Sequence, residues 1–292
     1  MTAAQVNGDA ARMKLPLVQH RSVFITGCST GIGRATARVL RDRGWRVFAG
    51  ARKPADLNAL AAEGFDPINM DLMDSTRVHS AASQVLKESG GQLGALVNNA
   101  GFGQPGALED LSRDQLRRQF EVNVFGLQEL TNLVLPAMLR TGSGRIVHIS
   151  SVLGRVTIPR VGAYCASKHA VESLADAQRV ELRGTGIGLS LIEPGPIRSE
   201  FRNTSAAIRK SEMPANTRIA LPDRSANNDG SAIFTQGPEA VASKIVHALE
   251  SARPKRRYKV TFPAYAAPLA RSLLPESFFD WVVARRLDRK LD

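Results

Sequence analysis

The stretch SVFITGCSTGIG, from Ser22 to Gly33, places a short apolar run directly before a turn that contains three glycines. The run SVFIT predicts a buried strand, and the amphipathic pattern from Ile32 to Arg43 predicts the helix that follows it. Glycines at such a turn let a phosphate approach the backbone, and the helix N-terminus adds free N–H groups and a positive dipole end. The spacing Gly-x3-Gly-x-Gly therefore favours a dinucleotide-binding turn over a merely tight connection, with the candidate residues Gly27, Ser29, Thr30, Gly31, Ile32 and Gly33.

Short apolar runs and longer amphipathic stretches alternate along the whole chain. The runs that predict strands are Ser22 to Thr26, Arg46 to Gly50, Pro67 to Met70, Ala95 to Asn98, Arg145 to Ser150, Gly188 to Ile192 and Tyr258 to Phe262. The stretches that predict helices are Ile32 to Arg43, Pro54 to Glu63, Ser75 to Glu88, Arg113 to Leu139, Ala163 to Arg183 and Pro238 to Ser251. Such alternation is typical of parallel strands joined by right-handed crossovers. We expect an α/β fold in a single domain: a doubly wound, Rossmann-type parallel sheet of about seven strands with helices on both faces.

The second predicted strand ends in Ala51-Arg52-Lys53, about twenty residues past the glycine turn. Sites for NAD usually carry an Asp or Glu here, which binds the ribose hydroxyls. Arg52 can instead pair with a 2′-phosphate, and Lys53 adds positive charge. The sequence therefore predicts NADP(H) as the cofactor, in preference to NAD(H).

Ser151, Tyr164 and Lys168 form a second group of polar residues. Tyr164 and Lys168 lie four residues apart on a predicted helix, so their side chains share one face. A phenol titrates at about pH 10, and a neighbouring ammonium lowers that pKa. Tyr164 could then transfer a proton to a carbonyl oxygen as a hydride reaches the carbon, while Ser151 hydrogen-bonds the same oxygen. Because Tyr-x3-Lys alone is common on helix surfaces, this assignment depends on the motifs around it.

Taken together, these motifs resemble those of the short-chain dehydrogenase/reductase family, from about residue 22 to residue 196. Residues 26–33 resemble the family's cofactor turn, and the three polar residues fall at its Ser…Tyr-x3-Lys spacing. Other positions resemble motifs that contact the cofactor: Asp71 with Leu72, Asn98-Asn99-Ala100-Gly101, Pro194-Gly195-Pro196 with Ile197, and Ser199, where many members carry Thr.

The resemblance also implies catalytic roles. Asn123 resembles the family's helix Asn, which holds a water against the active-site Lys. Tyr164 and Lys168 would also contact the cofactor, Lys168 through the hydroxyls of the nicotinamide ribose. With Asn123, Ser151, Tyr164 and Lys168 all present, the resemblance implies an NADP-dependent oxidoreductase that acts on a carbonyl or alcohol carbon.

Apolar residues near these motifs indicate the kind of substrate. Those predicted to line the pocket are Phe102, Leu153 and Phe201, together with Ser151. The segments GFGQPGALEDLS, which starts at Gly101, and Arg198–Phe201 resemble the family branch that includes 17β-hydroxysteroid and retinol dehydrogenases. This resemblance implies a bulky apolar ketone, aldehyde or alcohol, for example a steroid- or retinoid-like alcohol.

The chain is expected to have three parts. Residues 1–19 carry little periodicity and predict a loose N-terminal arm. Residues 20–262 form the expected dinucleotide-binding catalytic domain, whose polar stretch 198–236 predicts a loop over the substrate. Residues 263–292 predict an amphipathic C-terminal extension, which would either pack on the domain or lie on lipid. The helices predicted at Arg113–Leu139 and Ala163–Arg183 resemble the family's dimer-forming pair, which implies a homodimer.

The chain of 292 residues carries a formal net charge of +12. From Arg253 to Asp292, ten Lys and Arg residues stand against four Asp and Glu residues, a net +6. Such a balance favours anionic partners, yet no helix-turn-helix, zinc-finger or RNA-binding signature accompanies it. We therefore expect a solvated basic face and no nucleic-acid partner, with an anionic membrane surface as the alternative.

The sequence lacks signals of membrane insertion and export. It has no run of about 18 apolar residues, and its N-terminus has no apolar core followed by a small-residue cleavage site. Two cysteines, Cys28 and Cys165, are too few for a disulfide framework. We expect a reducing, cytoplasmic setting, with peripheral membrane contact as the alternative.

Two other classes of function fit parts of the sequence. A regulatory protein could bind NADP(H) without turnover, although the complete catalytic set counts against this. A scaffold on nucleic acid or membrane is supported by charge alone. Cofactor binding together with turnover distinguishes all three.

Overall fold

The computed structural model describes residues 14–214, 217, 219 and 234–288, and its centre is a parallel sheet. Within these residues the strands are β1 (Ser22–Ile25), β2 (Arg46–Ala51), β3 (Asp66–Asn69), β4 (Ala95–Asn98), β5 (Gly144–Ile149), β6 (Ile187–Pro194) and β7 (Arg257–Val260). Their order across the sheet is β3-β2-β1-β4-β5-β6-β7, and all neighbouring pairs are parallel. The order reverses between β1 and β4, and doubly wound sheets bind ligands at the carboxyl ends of strands beside such a reversal.

Helices cover both faces of this sheet. They are α1 (Gly31–Asp42), α2 (Pro54–Ala62), α3 (Ser75–Glu88), α4 (Arg113–Phe120), α5 (Gly126–Thr141), α6 (Gly162–Glu181), α7 (Phe201–Glu212), α8 (Pro238–Glu250), α9 (Phe262–Leu273) and α10 (Glu276–Asp288), with 3-10 turns at Leu108–Asp110 and Val152–Gly154. One apolar core joins α1 and α8 to one face, and a second joins α3, α5 and α6 to the other. The predicted single-domain, doubly wound α/β fold with a parallel sheet is confirmed.

Alternate residues of the central strands enter opposite cores. On β1, Val23 and Ile25 pack in the core of α1 and α8, whereas Phe24 packs in the core of α3, α5 and α6. Because both faces are covered, a central strand needs apolar side chains on both sides. This requirement explains why the middle residues of β1 and β4 are apolar and why the polar motifs lie at or beyond their carboxyl ends.

The continuous helix predicted from Arg113 to Leu139 is divided. A π turn at Glu121–Phe125 separates α4 from α5. Such a turn widens the helix locally and is frequent at functional sites. It contains Asn123, which is completely buried. Apolar periodicity alone does not reveal the turn, because the helical direction continues through it.

The stretch 198–236, predicted as a loop, contains helix α7 in its first part. Ser205 Oγ donates a hydrogen bond to the Gly103 carbonyl (3.0 Å), and Arg118 Nη2 donates to Glu212 Oε2 (2.5 Å). These contacts fix both ends of α7 to the segments that follow β4. None of the residues of α7 is buried, so the helix lacks the core periodicity that would have predicted it. Residues 215, 216, 218 and 220–233 lie outside the described part of the chain.

The C-terminal extension, predicted as an amphipathic stretch at residues 263–292, forms two helices. Pro275 stands between α9 and α10. The last strand ends at Val260 and not at Phe262 as predicted, because Phe262 begins α9. The side chains of residues 285–288 and all of residues 289–292 lie outside the described part of the chain.

The described part of the predicted N-terminal arm contacts the domain. Leu15 N donates a hydrogen bond to the Ala252 carbonyl (2.9 Å). Arg145, whose side chain is completely buried, donates through Nη2 to the Pro16 carbonyl (2.7 Å). Residues 14–19 are thus attached beside the start of β5, and residues 1–13 lie outside the described part.

Candidate active site

The turn between β1 and α1 has no room for side chains at its glycines. Gly27 and Gly31 have positive φ angles of 73° and 57°, which favour glycine. A Cβ at Gly33 would lie 2.2 Å from the Gly27 carbonyl oxygen, and a Cβ at Gly27 would lie 2.9 Å from Ala100 Cα. The bare backbone of this turn is what the close approach of a phosphate requires.

The N-terminus of α1 is open to an anion. Thr30 is the N-cap residue, but its side chain makes no capping hydrogen bond, and the first turn of α1 contains no acidic residue. The first N–H groups of a helix, here those of Ile32 and Gly33, have no acceptor within it. Arg34 Nη1 holds the Ser29 carbonyl at 2.9 Å and adds positive charge. The residues present therefore fit the pyrophosphate of a dinucleotide.

Thr26 and Asn99 join the ends of β1 and β4. Thr26 Oγ1 accepts hydrogen bonds from the backbone N of Asn99 (3.0 Å) and of Ala100 (2.8 Å). In return, Asn99 Nδ2 donates to the carbonyls of Thr26 (2.8 Å) and Gly27 (3.0 Å). The glycine turn and the Asn99–Gly101 segment thus form one rigid edge at the reversal of strand order.

Two positively charged side chains lie at the carboxyl end of β2. Arg52 and Lys53 are exposed, and Arg52 Nη1 lies 3.9 Å from Asp71 Oδ2. Asp71 Oδ1 also accepts a hydrogen bond from Met73 N (3.1 Å), and Leu72 beside it is buried. An exposed pair at this distance is weak, so Arg52 is able to turn towards a phosphate.

The end of β6 faces the glycine turn. Gly195 N donates to the Val260 carbonyl (3.0 Å), and a Cβ at Gly195 would lie 2.3 Å from Thr261 Oγ1. Further along, Ser199 Cβ lies 3.2 Å from the place of a Cβ on Gly31. Ile197 is buried between these positions. The segment that starts at Pro194 therefore forms the wall opposite the phosphate turn.

Ser151, Tyr164 and Lys168 meet at the carboxyl end of β5. Ser151 follows β5, and the other two residues lie one turn apart on α6. The Tyr164 hydroxyl is hydrogen-bonded to the Ser151 side chain. Lys168 Nζ lies 5.7 Å from the centroid of the Tyr164 ring and donates to the Ile149 carbonyl (2.8 Å). The three residues that the sequence separates are thus brought together.

Burial shifts the ionisation of Tyr164 and Lys168 in opposite directions. It raises the pKa of Tyr164 above its usual range, and the hydrogen bond with Ser151 opposes that rise. It lowers the pKa of Lys168 to about 8, whereas the charge of Glu172 raises it. At neutral pH the phenol therefore holds its proton and Lys168 is mostly an ammonium.

Asn123 lies beside Lys168. Its Nδ2 donates to the Phe102 carbonyl (3.0 Å) and to Ser167 Oγ (3.1 Å), and its Oδ1 accepts from Phe102 N (3.1 Å). A Cβ at Gly101 would lie 3.0 Å from Asn123 Oδ1 and 3.8 Å from Lys168 Nζ. The π turn thus holds a fixed amide close to the ammonium.

Phe201 of α7 covers Tyr164. The two ring centroids lie 5.4 Å apart, and a Cβ at Gly103 would lie 3.1 Å from Phe201 Cζ. A side chain larger than hydrogen at Gly103 would therefore push α7 away from the phenol. The helix, which the sequence did not predict, brings an apolar ring to the site.

The two other predicted pocket residues differ in position. Leu153 adjoins the site, because its N donates to Ser151 Oγ (3.1 Å). The ring of Phe102 lies 5.7 Å from the Arg118 guanidinium, while its backbone binds Asn123.

Several polar residues that make hydrogen bonds around the site were not among the predicted site residues: Thr26, Arg118, Ser167 and Ser205. Thr26 and Ser167 lie next to or between motif residues, so a hydroxyl beside a motif was the available signal. Arg118 and Ser205 gave no such signal, because they reach the site from α4 and α7.

Among the described residues, no group of three or more His, Cys, Asp or Glu side chains could hold a metal ion. Cys28 lies in the glycine turn, and burial raises the pKa of its thiol to about 12, which keeps it unreactive. Within the same residues, no helix has the length and apolar character needed to cross a membrane.

Known proteins resemble the chain over nearly its whole length. It is 43% identical over 267 residues to the "Uncharacterized oxidoreductase YbbO" of Escherichia coli, covering 91% of this chain and 95% of that protein. It is 32% identical over 284 residues to 17-beta-hydroxysteroid dehydrogenase type 6 of Homo sapiens, covering 92% and 89%.

Solved structures of similar fold contain bound nicotinamide cofactors. A short chain dehydrogenase/reductase from Burkholderia phymatum in complex with NAD superposes with a TM-score of 0.72 at 26% identity, over 91% of this chain and 96% of that one. A variant of actinorhodin polyketide ketoreductase with NADPH also gives a TM-score of 0.72 at 26% identity, over 84% and 97%.

The family model described as short chain dehydrogenase matches residues 21–209, which include the glycine turn and the Ser151, Tyr164 and Lys168 group. The chain therefore belongs to the short-chain dehydrogenase family: it is an oxidoreductase that uses a nicotinamide cofactor and acts on CH–OH or C=O groups.

Proposed function

We propose that the protein is an NADP(H)-dependent enzyme that interconverts a bulky apolar ketone or aldehyde with its alcohol, using Tyr164 as the general acid and base. One observation carries this proposal: a half-buried phenol, hydrogen-bonded to Ser151, lies on the same helix face as a buried lysine. A structural tyrosine has no need of a buried ammonium beside it, because burying that charge costs free energy.

Ser151 and Tyr164 act together on the substrate oxygen. Both hydroxyls can hydrogen-bond one carbonyl oxygen, which fixes its position and stabilises the charge that develops on it. The high pKa of Tyr164 keeps its proton in place at neutral pH until the oxygen becomes basic enough to take it. The bound nicotinamide cofactor supplies the hydride in reduction and accepts it in oxidation.

Lys168 and Asn123 support the proton transfer. The ammonium of Lys168 stabilises negative charge on the phenol oxygen after the proton has left. Lys168 would also hold the ribose hydroxyls beside the nicotinamide. Asn123 keeps the surroundings of Lys168 fixed through its bonds to Phe102 and Ser167, consistent with a proposed role in orienting a water next to the ammonium.

The cofactor preference rests on Arg52. We assign the pyrophosphate to the glycine turn and the start of α1, the adenine side to Asp71 and Leu72, and the nicotinamide side to Asn99–Gly101 and the segment from Pro194 to Ser199. Arg52 and Lys53 supply two positive charges where a 2′-phosphate would lie, and this favours NADP(H).

The substrate class rests on the apolar surroundings of Tyr164. Phe201 packs against the Tyr164 ring, and Leu153 donates its backbone N–H to Ser151 Oγ. Phe102, whose backbone binds Asn123, is the third apolar residue that we assign to the pocket. The likeness to a 17-beta-hydroxysteroid dehydrogenase supports a large, rigid, apolar substrate. A steroid- or retinoid-like alcohol, or the corresponding carbonyl compound, fits these surroundings.

Turnover of a panel of apolar ketones, aldehydes and alcohols with both cofactors tests this function. We expect reduction of at least one bulky apolar carbonyl compound, with a higher kcat/KM for NADPH than for NADH. Binding of NADP(H), measured by cofactor fluorescence, without turnover of any member would favour the alternative of a regulatory protein.

We propose that the protein forms a homodimer through α5 and α6. Leu139, Leu174 and Val180 on these helices, and Phe125 in the π turn, are exposed large apolar side chains. Exposed apolar groups on adjacent helices are typical of an interface. Sedimentation velocity should give the mass of two chains; a monomer at micromolar concentration would contradict this.

We propose peripheral contact with anionic membranes through α9 and α10, in a protein that is otherwise cytoplasmic. Phe262, Tyr265, Leu269 and Leu273 follow each other on α9 at spacings of three or four residues and are all more than half exposed. Trp281 of α10 adds a ring suited to a lipid interface. The net charge of +12 provides attraction to anionic lipid.

A Leu269→Ser, Leu273→Ser double variant should cosediment less with anionic liposomes than the unchanged protein. A Leu17→Ser variant, at an exposed leucine outside the C-terminal helices, is the control. Equal cosedimentation of all three would remove the membrane proposal. Cell fractionation checks the cytoplasmic location.

A further inference from the structure

A buried cluster of charges lies behind Lys168. Glu172 follows Lys168 by one turn on α6, Glu193 lies on β6, and Arg257 begins β7. Arg257 Nε donates to Glu172 Oε2 at 3.0 Å and lies 3.0 Å from Glu193 Oε1. Both carboxyl groups are almost completely buried. One guanidinium group therefore faces two carboxyl groups in the interior.

Several buried oxygen atoms in this cluster and beside it have no hydrogen-bond partner among the described residues. They are Glu172 Oε1, both Glu193 oxygens and Ser150 Oγ. A Cβ at Gly154 would lie 2.7 Å from Ser150 Oγ, 3.0 Å from the Lys168 carbonyl oxygen and 3.1 Å from Glu172 Cγ. Gly154, three residues after Ser151, thus packs against both Glu172 and the Lys168 backbone.

Asp176 is a third acidic partner of Arg257, and it lies at the exposed edge of the cluster. It lies one turn beyond Glu172 and accepts a hydrogen bond from Arg257 Nη2 (2.6 Å) and another from Arg179 Nη2 (2.6 Å). Its side chain is 42% exposed, whereas that of Glu172 is 6% exposed. Solvent therefore screens Asp176, while the charge of Glu172 acts through protein.

We propose that Glu172 is a positioning residue for the reaction: its carboxylate, fixed by Arg257 in the interior one helical turn from Lys168, keeps Lys168 in the ammonium form over the working pH range. This inference rests on the proposed function, because it gives Lys168 the role described above. Glu172 itself touches neither the substrate nor the cofactor in this scheme.

The charges around Lys168 agree with this role. Burial lowers the pKa of Lys168 to about 8, and Glu172 is the group whose charge opposes that shift. His148 on β5 also faces Lys168, but burial lowers the pKa of its imidazole to about 3, so it adds no charge at neutral pH.

The second carboxyl group belongs to the same group of charges. Burial and the charge of Glu172 raise the pKa of Glu193, against the attraction of Arg257, Arg155 and Lys259.

Replacing Glu172 by Gln removes the charge that raises the Lys168 pKa, so this pKa falls further below its ordinary value. Lys168 then loses its ammonium form at lower pH. In the reduction direction, the alkaline decline of kcat/KM should move to lower pH by on the order of one unit.

The test compares Glu172→Gln with Asp176→Asn. Both variants remove one acidic partner of Arg257 on α6, but only the first removes the buried charge next to Lys168. The titration of Lys168 should be measured in the cofactor-free protein by NMR of lysine labelled with ¹³C at Cε, with a Lys168→Arg variant for assignment. We expect a lower pKa in Glu172→Gln and an unchanged value in Asp176→Asn.

A Glu172→Asp variant, which retains the charge, should keep the Lys168 titration close to that of the unchanged protein. It provides a second measurement at this position if Glu172→Gln fails to fold. Equal titration of Lys168 in Glu172→Gln and the unchanged protein would overturn the inference, and so would an equal shift in Asp176→Asn. Because this readout needs no turnover, it remains valid if the proposed substrate class is wrong.

Discussion

Tyr164→Phe is expected to lower kcat in the reduction direction by about a thousandfold, since general acid catalysis contributes roughly 10²- to 10⁴-fold. The substitution removes one hydroxyl and keeps the ring. The contact with Phe201, at 5.4 Å between centroids, and the position of Lys168 over the ring therefore remain. What disappears is the proton donor and its hydrogen bond to Ser151.

Cofactor affinity should change little in this variant, because the glycine turn, Arg52 and Lys168 are untouched. The measurements are steady-state turnover of the best substrate from the panel and cofactor binding by fluorescence. Tyr265→Phe is the matched control: this residue lies exposed on α9, and its hydroxyl donates to the Lys259 carbonyl at 3.2 Å. Near-normal turnover of Tyr164→Phe would refute the role assigned to Tyr164.

Arg52→Ala is expected to raise KM for NADPH by about tenfold to a hundredfold and to leave KM for NADH nearly unchanged. Hydrogen bonds to charged groups contribute about 1.5–3 kcal/mol, which corresponds to that range of affinity. The side chain is 64% exposed, and its weak pair with Asp71 at 3.9 Å is readily exchanged for a phosphate. Removing it should therefore cost little stability.

The effect should depend on the 2′-phosphate and not on charge in general. Arg77→Ala is the control, since Arg77 is about as exposed and also pairs with an Asp, at 3.3 Å from Asp74. It should leave KM for both cofactors unaltered. The NADP(H) assignment fails if the unchanged protein prefers NADH, or if Arg52→Ala raises both constants equally.

Local patterns in the sequence were sufficient to predict the architecture. An apolar run predicted the strand Ala95–Asn98, and an amphipathic stretch predicted the helix Ser75–Glu88. Both have the bounds that the structure gives. The glycine turn after β1 could be interpreted because φ angles and close approach impose glycine locally. Tyr164 and Lys168 could be placed on one helix face because i and i+4 positions are neighbours in any α-helix.

Contacts between residues far apart in the chain could not be predicted from the sequence. Phe201 was predicted to line the pocket, but the helix α7 that brings it over Tyr164 was not, because its contacts, such as Ser205 to Gly103, join residues about a hundred positions apart. The π turn around Asn123 was hidden for the same reason: its amide is satisfied by Phe102 and Ser167, which lie on other segments.

The sequence by itself predicted the fold class, from the alternation of apolar runs and amphipathic stretches, and it placed the glycine turn after β1 and Tyr164 and Lys168 on one helix face, because these features depend on order and spacing along the chain. Only the tertiary structure decided how that pair ionises. Burial, Ser151 after β5 and Glu172 on α6 act on the two side chains, and Arg257 on β7 binds Glu172. Electrostatic energies depend on distance in space and on exclusion of water, and neither can be read from positions along the chain.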